Sequence, residues 1–329
     1  MKTLIASESL FSIVDTAYLD CVTDNLALLL LHRGIRDVRT PFACHWHFAF
    51  HEGQNGGLPE LSRSPLTEAL ETQTGWNVQQ DVLNVADCIE TLSQHLRQNQ
   101  PVLVFGDAYF IPWQPYFGHD HQEHSFLIDG ISEDNKFVHI VDAHENTTEW
   151  GQAQPVACDL PAMALKIILN QQSEHAQTYW WLEQCEGRLE IDLTSLLLAN
   201  AQHMLAPTTR GQFEAFVRYY HEHIQDMEIA RTFELALWLI GRARMLHSLW
   251  LQDIEREHPA LLPLHYADRF ANEVVVFWQR AREQSYLMLR RVMRGRPAPE
   301  ACFSLLGQTI VPQEIMLADA LFQHLQKVC

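Results

Sequence analysis

One stretch restricts the fold more than any other: Asp20-Cys21-Val22-Thr23-Asp24-Asn25-Leu26-Ala27-Leu28-Leu29-Leu30-Leu31-His32-Arg33-Gly34. An apolar run of this length, opened by capping residues and closed by a glycine, predicts a single helix. Asp20 or Thr23 can cap its start, and Gly34 suits the left-handed position just past its end. Cys21 then falls at or near the helix N-terminus. The first-turn N–H groups and the helix dipole favour an anion there, which biases a thiol toward thiolate. The plainer use of such a cysteine is as a small core residue.

Charge divides the chain. Residues 1–198 hold 9 Lys and Arg against 27 Asp and Glu, whereas residues 199–329 hold 14 of each, so the whole net charge of −18 belongs to the first part. This asymmetry predicts a boundary near 175–200, with a first domain over 1–185 and a second over 186–329. A net charge of this sign disfavours nucleic acid as a partner. No apolar run reaches the roughly 20 residues that a bilayer span needs. The first eight residues carry an acid and no long apolar region, unlike a signal peptide. The expectation is therefore a cytoplasmic protein with no membrane partner. Seven scattered cysteines without a CxxC pair predict reduced thiols rather than a disulfide framework.

Further along the chain, the 3–4-residue spacing of Ile89, Leu92 and Leu96 predicts an amphipathic helix over 86–98. Val102-Leu103-Val104-Phe105 reads as a buried strand. The runs 124–131 and 137–142, separated by the turn Ser132–Asn135, predict an antiparallel hairpin. Short strands are also expected at 46–50 and 78–83. From about residue 189 the spacing is helical, with long helices near 213–227, 230–252, 267–294 and 312–327. The fold class is therefore α+β, an early helix and an antiparallel sheet, followed by an all-helical domain.

Cysteine-based catalysis needs a base to take and return a proton and a third group to orient that base. His124 heads one strand of the hairpin and Asp142 ends the next, so antiparallel pairing brings them together. The candidate catalytic set is Cys21, His124 and Asp142. Asp107 and Tyr109 are candidate lining for a substrate pocket, with Asp107 suited to a cationic amine. Trp46, Trp113, Tyr116 and Phe117 suit either an acyl tunnel or core packing.

This order of Cys, His and Asp resembles the papain-like cysteine fold. More closely, the chain resembles the family of the butirosin biosynthesis protein H N-terminal domain, which are papain-like acyltransferases of natural-product assembly. The resemblance covers about residues 15–145. It rests on Cys21 with its leucine-rich helix and Gly34, on Phe105-Gly106-Asp107-Ala108-Tyr109-Phe110-Ile111-Pro112, on His124-Ser125-Phe126-Leu127-Ile128-Asp129-Gly130, and on Val138-His139-Ile140-Val141-Asp142. It implies acyl transfer from a carrier-protein thioester, through an acyl-cysteine, to an amine acceptor. Cys21 would be the nucleophile, His124 the base and then the acid, and Asp142 the orienting group. No cofactor is implied beyond the phosphopantetheine that carries the donor. Papain-like enzymes often place a glutamine about six residues before the cysteine to line the oxyanion hole. Here that position is Asp15, so the Cys21 N–H is the expected donor, with Asn25 or Tyr109 as candidates for a second.

Other readings remain. Water in place of the amine would make the protein a thioesterase, amidase or peptidase, and an inert thiol would leave a binding or scaffold protein. The triples His45, His47, His51 and His119, His121, His124 have spacings that zinc sites use, although solvated histidines are commoner and the expectation is no metal. Six arginines at 280, 282, 290, 291, 294 and 296 stand against one acid, Glu283. Arg290, Arg291 and Arg294 are thus candidates for docking an acidic acyl or peptidyl carrier protein and its phosphate-linked arm. A homodimer is also open.

Overall fold

The computed structural model describes residues 3–5, 11–14, 18–53, 57–62, 66–170, 177–185 and 192–328. The chain forms two compact units. One comprises Met1–Arg39 and Leu70–Leu189, the other Thr40–Ala69 and Glu190–Cys329. The helical unit thus takes in an early segment, 40–69, that the charge boundary places in the first domain.

The first unit is α+β. Helix α1 (Cys21–His32) starts where the sequence requires. Asp20 Oδ1 accepts from the N–H groups of Val22 and Thr23, and Thr23 Oγ1 accepts in return from Asp20 N. Such a cap contributes about 1 kcal/mol. At the other end Gly34 adopts φ +85°. Gly34 N donates to Leu31 O and Ile35 N to Leu30 O, the paired closure that stops a helix at a left-handed residue. Leu26, Ala27, Leu28, Leu29 and Leu30 are all buried, so the helix is enclosed rather than amphipathic.

The sheet of this unit and the helices that pack on it are strand β1 (Trp76–Val82), helix α2 (Cys88–Arg97), strands β2 (Val102–Asp107), β3 (Glu123–Ile131), β4 (Phe137–Asp142) and β5 (Val156–Pro161), helix α3 (Ala162–Leu169) and strand β6 (Thr178–Gln184). The six strands form one antiparallel sheet in the order β1-β6-β2-β3-β4-β5. Helix α1 packs against β3 and β4. Leu92 of α2 and Leu165 and Ile168 of α3 share a core with Val102, Val104, Phe126, Ile128, Val138 and Ile140. The intervening Leu103, Phe105, Leu127 and Val141 are buried as well. Both faces of the central strands are therefore covered, and each such side chain contributes roughly 1.5–3 kcal/mol by leaving water.

Two local features set the sheet's working end. Gly106 pairs with His124 across β2 and β3. A side chain at 106 would collide with Ile168 Cγ2, so glycine lets α3 lie directly on the strand end. On β3 the register with β4 shifts between Ile128 and Gly130. The displaced residue, Asp129, is fully buried and satisfied: its carboxylate accepts from Ile5 N at 2.9 Å and meets His139 Nδ1 at 2.5 Å.

The second unit is largely helical: α4 (Leu193–Leu205), α5 (Pro207–His223), α6 (Met227–Glu257), α7 (Val276–Val292) and α8 (Val311–Val328). The early segment adds the paired strands Ala49–His51 and Glu60–Ser62. Its anchor is Trp46, which is buried with its N–H on Glu314 Oε2 at 3.2 Å. Glu314 also accepts from Trp278 Nε1 at 2.5 Å and from Arg244 Nε and Nη2 at 2.7 and 3.0 Å, while Arg244 Nη1 reaches His47 O at 2.9 Å. Trp46 is therefore a core residue of the helical unit and lines no acyl tunnel. Among the described residues no helix is long and apolar enough to cross a membrane.

Candidate active site

Cys21 occupies the first position of α1 and is partly exposed. Asp20 takes the N–H groups of Val22 and Thr23. The Cys21 N–H, as a first-turn donor, has no partner of its own within the helix. The Cys21 thiol is near enough to His124 to favour the protonated imidazole.

His124 is buried, and its Nε2 lies 2.7 Å from Asp142 Oδ2. That contact fixes the tautomer. With Nε2–H directed at the carboxylate, Nδ1 is the ring nitrogen left for the thiol. Burial works against a charged imidazole. The Asp142 carboxylate and its hydrogen bond outweigh burial, with help from Cys21, and raise His124 above its ordinary value of 6.5. Burial would likewise raise Asp142. The charge and hydrogen bond of His124 prevail, and the carboxyl is held below its ordinary 3.8. Both shifts favour the charged forms of the buried pair, imidazolium and carboxylate.

Asp142 accepts far more than one hydrogen bond. Trp113 Nε1 (2.8 Å) and Gln114 Nε2 (2.9 Å) also bond to Oδ2, and His144 N (3.1 Å) bonds to Oδ1. A carboxylate with this many donors is stabilised in its charged form and fixed in place. Gln114 also approaches His124 Nε2 at 3.0 Å, which closes that side of the pair against water.

Asn25 joins the three elements that carry the trio. Its Nδ2 donates to Cys21 O at 2.8 Å and Ser125 O at 2.9 Å and lies 3.4 Å from Asp142 Oδ1, and its Oδ1 accepts from Ala143 N at 3.1 Å. The side chain is fully buried and its donors are committed. Asn25 is therefore a clamp within the site, not a free second oxyanion donor. Asp15, the position that departs from the papain pattern, lies outside the described residues.

The structure brings together Cys21, Asn25, Trp113, His124 and Asp142. Trp113, a candidate for lining substrate, spends its N–H on Asp142 and packs edge-on against Phe126. Asp107 and Tyr109 belong to an outer group. Asp107 Oδ1 accepts from Tyr109 N at 2.9 Å and its Oδ2 meets His121 Nδ1 at 2.6 Å, so neither oxygen is idle for a direct grip on an amine. Tyr116 packs on Trp150, and Phe117 is half-exposed. Arg290, Arg291 and Arg294 lie in and just beyond α7 of the helical unit; Arg291 Nε is tied to Pro297 O at 2.9 Å.

Three participants escaped the sequence reading: Gln114, His144 and Asp24. Gln114 sits one residue past Trp113, and its signal was only the polar residue in an aromatic run. His144 Nδ1 bonds to Asp24 Oδ2 at 3.0 Å, and its ring centre lies 5.5 Å from that of His124. Asp24, inside a leucine-rich helix and fully buried, was a visible anomaly, because a buried carboxylate demands a partner. The histidine triples do not converge as metal ligands: His47 stacks on His203, His119 on Trp150, and among the described residues no group of three or more His, Cys, Asp or Glu is arranged to hold a metal ion.

No family model matches the chain, and no curated protein matches it.

Proposed function

We propose that the protein is a papain-like cysteine acyltransferase, resembling the butirosin biosynthesis protein H N-terminal family. It would move an acyl group from a carrier-protein thioester to an amine. One observation carries the reading: a part-exposed thiol on the first residue of a capped helix lies beside a buried imidazole whose Nε2 is held 2.7 Å from a buried carboxylate.

The chemistry follows from that placement. The Cys21 sulfur attacks the thioester carbonyl, and the imidazolium of His124 gives its proton to the departing pantetheine sulfur. The acyl-cysteine is then attacked by a neutral amine. His124, now neutral, takes the N–H proton as the C–N bond forms and the C–S bond breaks, which restores thiolate and imidazolium. Asp142 stays ionised throughout and stabilises the imidazolium. The unspent Cys21 N–H is placed to meet the oxyanion. Water in the second step would make the same site a thioesterase or amidase.

The experiment is intact mass spectrometry after incubation with hexanoyl-N-acetylcysteamine, a pantetheine thioester mimic. The wild type gains one hexanoyl group and Cys21→Ala does not. Absence of the adduct on the wild type overturns the reading. Product analysis with and without added amine then separates transfer from hydrolysis.

A further inference from the structure

Helix α1 contains one acid, Asp24, which lies one turn past Cys21 and is fully buried. Side chains three residues apart on a helix share a face, with Cβ atoms about 5–6 Å apart. The helix start favours an anion at Cys21, whereas a carboxylate one turn on works against it. His144 meets that carboxylate. Its Nδ1 lies 3.0 Å from Asp24 Oδ2, and the two side chains are 8% and 0% exposed. An anion at such range favours the imidazolium.

The strand register puts His144 on the same face of the sheet as the trio. Strands β3 and β4 pair Leu127 with Val141. Carrying that register outward by three residues on each chain sets His144 opposite His124. Side chains alternate along a strand, so His124, Asp142 and His144 share one face. Their contacts agree: the rings of His124 and His144 are centred 5.5 Å apart, and His144 N donates to Asp142 Oδ1 at 3.1 Å. The charge of His144 is among the causes that hold Asp142 below its ordinary value. The titratable groups shown around His144 are therefore Asp24 on α1, His124 on β3 and Asp142 on β4, with Cys21 one helical turn from Asp24. Alignment of α1 with the two strands is already supplied by Asn25, which bonds to Cys21 O, Ser125 O and Ala143 N. What the Asp24–His144 pair adds is charge.

We propose that His144 is a positioning residue that offsets the charge of Asp24 and so keeps the Cys21 thiolate available beside the His124 imidazolium. The inference deepens the acyl-transfer reading and rests on its Cys21–His124 couple. His144 acts through Asp24 and needs no contact with substrate. Asp24 has the converse role, since it keeps the His144 imidazolium from standing as a bare cation 5.5 Å from that of His124. Together the two side chains add no net charge to the trio. Remove the imidazole alone, and the carboxylate is left facing the thiolate.

The test reads the thiol directly: the rate of iodoacetamide addition at Cys21, followed by peptide mass spectrometry between pH 5 and pH 9. His144→Gln slows addition at pH 6.5 by about tenfold and moves the profile about one unit to higher pH, the low end of what a facing charge does. Asp24→Asn, which breaks the same pair from the other side, does not slow it. The double variant Asp24→Asn with His144→Gln returns close to the wild-type profile, whereas loss of a mere tether would leave it as slow as His144→Gln. An unchanged profile in His144→Gln overturns the proposal, as does Asp24→Asn that is as slow as His144→Gln. The Asp24→Asn arm decides the matter by itself if His144→Gln does not fold. No acyl donor enters this experiment, so a wild type that takes no hexanoyl group sinks the acyl-transfer reading without touching the outcome here.

Discussion

His124 Nε2 and Asp142 Oδ2 lie 2.7 Å apart with side chains only 5% and 1% exposed. A charged pair so far from water persists because the carboxylate collects hydrogen bonds from Trp113, Gln114 and the His144 backbone as well. Breaking such a pair from one side leaves an uncompensated charge, which is why removal of one partner costs about 3–5 kcal/mol.

The pH dependence of stability follows from the two opposite shifts. His124 is raised above 6.5, so its contribution is complete below 6.5 and is lost as pH climbs through the higher folded value. Asp142 is depressed below 3.8, so its contribution is complete above 3.8 and is lost as pH falls through the lower folded value. Thermal melts of the wild type and Asp142→Asn should therefore differ most between pH 3.8 and 6.5. The gap should narrow on the alkaline side. A gap independent of pH would mean that the pair is not ionised in the folded protein.

Asn25→Ala removes four hydrogen-bonding contacts at once and strands Ser125 O and Ala143 N in the interior. Each buried group left unsatisfied costs about 1–3 kcal/mol, so the two together predict a loss of about 2–6 kcal/mol in urea unfolding. Because the clamp sets thiol against imidazole, alkylation of Cys21 by iodoacetamide at neutral pH should slow by about tenfold as well, since small misplacements are costly in rate. Normal alkylation in a destabilised variant would confine Asn25 to folding.

Much of this site was legible because it depends on local rules. Asp20, Thr23 and Gly34 specify where α1 begins and ends, and the hairpin brings residues 124 and 142 together whatever surrounds it. The same logic failed where contacts are long-range. Strand β6 carries Thr178, Tyr179, Trp180 and Trp181, a β-rich set, yet its place between β1 and β2 is fixed by pairing with residues about 100 and 75 positions earlier. The octapeptide of α3 is too short for a helical period to stand out. Core packing was one of the two uses open to Trp46, but nothing local announces that Glu314, 268 residues away, waits for its N–H.

That Trp46–Glu314 contact gives a prediction for the helical unit. Glu314 is fully buried and serves Arg244, Trp46 and Trp278 together. Glu314→Gln leaves the Arg244 charge buried without its counter-ion and should destabilise this unit by about 3–5 kcal/mol. Replacing both residues by leucine should cost markedly less than the sum of the single changes. Tryptophan emission offers the readout, because two of the rings bonded to Glu314 report on its loss. Additive single and double effects would show that the pair is not coupled.

The arginines of α7 and its following turn give the last prediction, which concerns partner rather than fold. Arg294 and Arg296 are exposed, and Leu287, 60% exposed, lies within two helical turns of Arg294. Six arginines between 280 and 296 stand against one acid in the sequence of a chain whose net charge is −18, which motivates a test of this segment as a docking site for an acidic carrier domain. A positive patch of this kind steers encounter and sets binding more than chemistry, and its effect weakens with salt. Arg294→Glu with Arg296→Glu should raise KM for a donor on its carrier protein by about tenfold at low salt, with kcat little altered. KM for hexanoyl-N-acetylcysteamine, which has no protein to dock, should stay within about twofold. The difference should shrink as ionic strength rises toward 1 M, where the screening length falls to about 3 Å. Equal losses with both donors would place the arginines in support of the fold rather than in recognition.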